Sequence, residues 1–147
     1  MKKTTNSMMI AALCCFMAAQ TLAQPGTENY RTVNVQMMKT KNVATGSIKQ
    51  RDSLVSIYNN NVVKKNDKIL SHREFTHWFT ASNKDYMVIE EYKDLTSMEE
   101  AFKLSDELEK KAWPDEKKRK EFMDAMNTYF EDWHGDNLYR MNPDLSK

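Results

Sequence analysis

Of the three histidines in the chain, His72 sits where chemistry is easiest to build. On extended backbone successive side chains alternate, so "HRE" at 72–74 puts His72 and Glu74 on one face with Arg73 on the other. Glu90, in "YMVIEEY", has matching parity in the next extended segment. An imidazole flanked by two carboxylates is a general base with an acid to orient it, or part of a His/carboxylate set for a divalent ion. It is equally a satisfied hydrogen-bond network at a subunit interface. His72 and His77 fall on opposite faces of a strand and cannot hold one ion together, and a lone His77 is no haem signature. We therefore expect no resident metal, haem or other cofactor. The sequence has no "HExxH", no serine nucleophile elbow, and in "GSIKQR" no phosphate loop.

These residues need a scaffold, and the chain spells one out. "YRTVNVQMMKT" alternates with period two and predicts a strand. From Ser47 the spacing becomes helical, with Ile48, Leu54, Val55, Tyr58 and Val62 on one side as far as about Lys65. "KILSHREFTHWFT" and "YMVIEEYKD" predict two strands joined by a turn at "ASNKD". A second helix follows, with Ser97 as N-cap and Glu100 as its capping-box partner. Pro114 lacks an amide donor and must interrupt that helix. The pattern resumes through Phe122, Ala125, Met126, Tyr129 and Trp133, with Gly135 expected as C-cap. His134 then belongs to the last helical turn, where its charge offsets the dipole, or to a pocket rim with Asp136. "DNLYRM" predicts a short last strand. The order is β-α-β-β-α-(α)-β, one antiparallel sheet with helices on one face.

Strand parity divides the sheet into two faces. Val33, Val35, Met37, Phe75, Phe79, Met87 and Ile89 form an apolar set, expected under the helices. The other set mixes Asn34, Gln36, His72, Glu74, Trp78, Tyr86, Val88, Glu90 and Tyr92. Bulky aromatics beside carboxylates suit a face that meets a second copy and encloses a partly polar cavity. Candidate ligand-binding residues are therefore Asn34, Gln36, Trp78, Tyr86, Glu90 and Tyr92, with His134 and Asp136 at the rim. His72 is the candidate catalytic base, with Glu74 orienting it.

The first residues set the destination. "MKK", then the apolar "MMIAALCCFMAA", then "QTLAQPG" have the order of a secretory signal peptide, cleaved near Ala23. Its apolar run is too short for the ~20 residues that span a bilayer. Cys14 and Cys15, the only two cysteines, leave with it, which excludes disulfides and thiolate chemistry in residues 24–147. Removing Lys2 and Lys3 takes 22 basic residues to 20 against 21 acidic, so the charge falls from +1 to −1. A near-neutral chain of this kind is a poor nucleic-acid ligand. Residues 24–147 form one domain, exported to the periplasm or beyond, with no membrane contact once cleaved.

The topology, with "DYMVIEEYKDLTSMEEA" and "AWPDEKKRKEFMDAMNTYFEDWHGDNLYRMNPDL", resembles the dimeric α/β-barrel group of ferredoxin-like proteins. That group includes antibiotic-biosynthesis monooxygenase-like, stress-responsive and NIPSNAP-like domains; the tail is similar to that of uncharacterised secreted bacterial proteins. The resemblance implies two sheets packed face to face in a homodimeric barrel and carries over no catalytic residue, because members use the fold for unrelated chemistries. Three functions stand open: a binding protein for a small, partly apolar ligand, a cofactor-independent oxygenase or isomerase with His72 as base, and a non-catalytic interaction protein. The first is favoured, because no catalytic constellation is complete.

Overall fold

Alternation and helical spacing become seven elements in a computed structural model that describes residues 30–79 and 81–145. The leader expected at residues 1–23 lies outside them. Strand β1 is Arg31–Thr40, helix α1 Ile48–Asn61, strands β2 and β3 Ile69–Thr76 and Asp85–Tyr92. Helices α2 and α3 are Leu95–Ala112 and Glu116–Asn127, and strand β4 is Phe130–Met141. The sheet runs β2-β3-β1-β4, with every neighbouring pair antiparallel. Order and class match the sequence reading. No described helix is long and apolar enough to cross a membrane.

Each helix starts where a side-chain oxygen takes up an orphan amide. Ser47 accepts from Gln50 N at 3.1 Å and Asp115 from Lys118 N at 2.9 Å. The α2 cap is Asp94, which accepts from Ser97 N at 2.7 Å, and not Ser97. A carboxylate at this end is also favoured by the helix dipole, so the helix begins a turn early. Pro114 breaks the second helical run as expected, and Trp113 stacks on Phe122 across the break with ring centroids 4.4 Å apart. Helix α1 stops at Asn61, followed by a 3-10 turn at Val63–Lys65. Its expected first stripe residue, Ile48, is 70% exposed.

The largest departures concern the sheet. Residues 130–135, expected to end a helix, belong to β4. Thr128 closes α3 by donating its hydroxyl to Ala125 O at 2.7 Å, so Gly135 is a mid-strand residue paired with Met37 and caps nothing. Trp133, continuing the helical spacing only by coincidence, is 64% exposed. The two faces are also exchanged relative to expectation. Tyr92 packs with Met98 and Ala101 of α2, and Ile69 packs against that cluster. Tyr92 and Phe102 meet edge to face, and the Arg51 guanidinium of α1 lies over the Tyr86 ring, 5.6 Å from its centroid. The mixed face therefore lies under the helices. The apolar set, Val33, Val35, Met37, Met87 and Ile89, points to the side that no described helix covers, where Val33 is nonetheless buried and the other four are half-buried by their neighbours on the sheet.

Polar residues can occupy the inner layer because they find partners there, which removes most of the cost of leaving water.

Candidate functional site

His72 on β2 pairs with Glu90 on β3 in the ladder, and Glu74 pairs with Val88. This register lays the imidazole between two carboxylates. His72 Nδ1 lies 2.9 Å from Glu90 Oε1, and Nε2 lies 3.0 Å from Glu74 Oε1. The Tyr86 hydroxyl donates to Glu74 Oε2 at 2.7 Å, Asn59 Nδ2 to Glu74 Oε1 at 2.6 Å, and the Tyr92 hydroxyl to Glu90 Oε2. Asn59 belongs to α1, so this cluster ties the sheet to the helix layer.

Burial works against a charged ring at His72, but its hydrogen bonds to Glu74 and Glu90 outweigh that and hold its pKa up at about 9. Burial would raise Glu74, yet hydrogen bonds from His72, Asn59 and Tyr86 bring it down to about 2. At neutral pH the centre is thus an imidazolium between carboxylates. Burial, then the hydrogen bonds to the same acids, push the Tyr86 and Tyr92 phenols upward.

The cluster forms one wall of a cavity of about 1000 Å³ between the sheet and the three helices. Asn34, Gln36, Tyr86, Glu90 and Tyr92 line it together with His72 and Glu74, and His134 and Asp136 reach it from β4. His134 Nε2 lies 3.1 Å from Asp136 Oδ2, while Gln36 Nε2 donates to Asp136 Oδ1 at 3.1 Å. Those nine residues come together. Trp78 does not: β2 ends at Thr76, alternation lapses, and Trp78 is 81% exposed beside an equally bare Phe79. Among the described residues no group of three His, Cys, Asp or Glu side chains could hold a metal ion.

Sequence reasoning missed the helix-borne half of the lining. Tyr58 of α1 donates to Glu109 Oε1 of α2 at 2.7 Å, and both face the cavity beside Asn59, Met98, Phe102 and Met126. Tyr58 reads from sequence only as a residue of the apolar stripe of α1, and the spacing alone marks neither Asn59 nor Phe102 as a cavity residue. Nothing local distinguishes a core stripe from a cavity wall.

No protein-family model and no curated protein matches the sequence. Solved structures do match the backbone. A variant of SnoaB, a cofactor-independent oxygenase from Streptomyces nogalater, aligns with a TM-score of 0.50 at 11% identity, covering 80% of this chain and 98% of that one. A conserved protein from Methanosarcina mazei Go1 aligns with a TM-score of 0.50 at 12% identity, covering 76% and 93%. The fold is ferredoxin-like. In this ferredoxin-like chain the cavity is a half-open cleft lined by the sheet and the helices, and the opposite sheet face takes no part in it.

Proposed function

We propose that the protein is an exported small-molecule-binding protein whose ligand occupies the cavity between sheet and helices, and that it works as a homodimer joined through the uncovered sheet faces. The observation that carries the first part is the cavity itself. Protein interiors are normally close-packed, and about 1000 Å³ reaches the upper size of small-molecule sites. It combines apolar walls at Val88, Met98, Phe102 and Leu138 with a few convergent polar groups, the usual composition of a ligand pocket. Native mass spectrometry of the purified chain tests it. A copurifying small molecule that disappears in a Val88→Trp variant supports the reading; identical spectra for both proteins overturn it.

The dimer is supported by the uncovered face. Val33, Val35, Met37, Met87 and Ile89 make its apolar centre. Ion pairs close both ends: Arg31 with Glu91 at 3.1 Å and Arg73 with Glu91 at 3.5 Å, and Lys39 with Asp85. Apolar centres with charged rims are typical of protein interfaces. Export rests on the leader; a secreted chain beginning at Gln24 on N-terminal sequencing is the expected result.

A second reading, a cofactor-independent oxygenase or isomerase with His72 as base, draws on the ring's place in the cavity and on the activity described for SnoaB. Both ring nitrogens lie against carboxylates, so the ring must lose its own proton before it can accept one. Turnover by this route would rise with pH through about 9 and vanish in His72→Ala.

A further inference from the structure

The proposed ligand site has an unusual polarity. Many of the polar side chains on its wall direct a donor at an acid of the same wall. Tyr58 donates to Glu109, Asn59 and Tyr86 to Glu74, Tyr92 to Glu90 and Gln36 to Asp136. His72, charged at neutral pH, directs its two ring N–H groups at Glu74 and Glu90. Gln36 and Asn59 each keep a second N–H, but the carboxylates add the larger unused capacity, because an ionised carboxylate offers about four lone-pair sites and no proton.

Two further observations agree. Asn34 Oδ1 is buried and has no hydrogen-bond partner among the described residues, although Asn34 lines the cavity. A buried acceptor left empty is costly, so a donor is favoured there. Acidic side chains also line the cavity at Asp106 and, nearer the mouth, Glu131 and Asp132, while no lysine or arginine is among the described lining residues. Lys110 and Lys41 reach Asp106 and Asp132 from outside. Inside, Glu74, Glu90 and Glu109 outnumber the single imidazolium of His72. The negative field extends across the space: after burial and its own bond to Glu109, the charges of Glu109 and of the more distant Glu90 push the Tyr58 phenol upward.

We infer, resting on the ligand-binding reading above, that the cavity takes an organic cation: an ammonium or amidinium head with N–H donors on an apolar, aromatic-sized body. The head sits against Asn34, Glu90 and Glu109, held by charge-assisted hydrogen bonds. Aromatic faces at Tyr58, Tyr92 and Phe102 are suited to a nearby cation. The body lies along Met98, Met126 and Leu138. An anionic ligand would meet carboxylates, and the one imidazolium, His72, already directs both ring N–H groups at Glu74 and Glu90.

Calorimetric titration with three near-isosteric probes tests this: 2-(1-naphthyl)ethylamine, 2-(1-naphthyl)ethanol and 1-naphthylacetate, at pH 7. The ammonium probe is expected to bind at least tenfold more tightly than the alcohol, with the carboxylate weakest. Glu109→Gln, which keeps an acceptor for Tyr58, should weaken the ammonium probe about tenfold and leave the alcohol unchanged. Equal binding of all three, or a preference for the carboxylate, overturns the cation inference and leaves a binding protein. Binding of none overturns both.

Discussion

The two faces of the sheet invert the usual rule of thumb. The face under the helices carries His72, Glu74, Glu90 and Asn34, while the bare face carries Val33, Val35, Met37, Met87 and Ile89. Polarity alone does not decide which face is covered. The covered face tolerates charge because Glu74 receives hydrogen bonds from His72, Asn59 and Tyr86 and Glu90 from His72 and Tyr92. The bare face tolerates exposure only if another surface meets it, and its charges at Glu91 and Asp85 are already paired within the chain. On the proposed reading, one face holds a ligand and the other meets a copy.

Substitutions on the two faces should therefore separate. The largest effect is expected at the centre of the bare face. Val35→Asp buries an unpaired charge in the proposed interface, a loss of about 3–5 kcal/mol in association. Sedimentation equilibrium should show monomers with an unchanged circular dichroism spectrum. Unfolding instead would put Val35 in the protomer's own core.

Next comes a matched pair of aromatics. Tyr92→Ala on the covered face removes a ring that is 1% exposed and should cost about 3–5 kcal/mol in urea denaturation. Tyr139→Ala on the bare face removes one that is 56% exposed. Measured in the Val35→Asp background, it should change protomer stability by less than about 0.5 kcal/mol. Equal effects would erase the distinction between the faces.

A smaller change is expected at Glu74→Ala, which removes the acceptor of Asn59 and Tyr86 and leaves His72 with Glu90 alone. Leaving such groups without a partner costs about 1–3 kcal/mol. Glu74→Gln should recover part of it by keeping an acceptor for Tyr86.

The pH dependence of stability gives the finest test. His72 rises from 6.5 to about 9 on folding, so its contribution is full below 6.5 and fades as pH climbs through 9. Glu74 falls from 4.5 to about 2, so its contribution is full above 4.5 and fades as pH drops through 2. Thermal unfolding should be most resistant between these limits, from pH 4.5 to 6.5. The alkaline decline should vanish in His72→Gln. Both side chains keep some contact with solvent, 18% exposed at His72 and 27% at Glu74, which tempers the size of the effect.

Much of this was legible in the sequence, though unevenly. Alternation placed Asn34, His72, Glu74, Tyr86, Glu90 and Tyr92 on one face, and the register gathered them as expected. Alternation says nothing about which face the helices will cover, because a polar face with enough partners and an apolar face with a copy to meet are both stable solutions. At Phe130–Met141 a strand hid behind helical spacing that happened to run on from Phe122 to Trp133. The hydroxyl cap at Thr128 was the missed signal, and with it the strand position of His134 and Asp136. The contacts from Asn59 to Glu74 and from Tyr58 to Glu109 join distant elements, and no local pattern announces them.

Methionine separates the two faces in one experiment. Met38, Met98, Met123 and Met126 line the cavity, while Met37 and Met87 pair across the bare face. In carbon–proton spectra of methyl-labelled protein, the naphthylethylammonium probe is expected to move the first four signals and leave Met37 and Met87 in place. Dilution should do the reverse. Probe-induced shifts at Met37 and Met87 with silent cavity methyls would contradict the assignment of ligand and partner to opposite faces of the sheet.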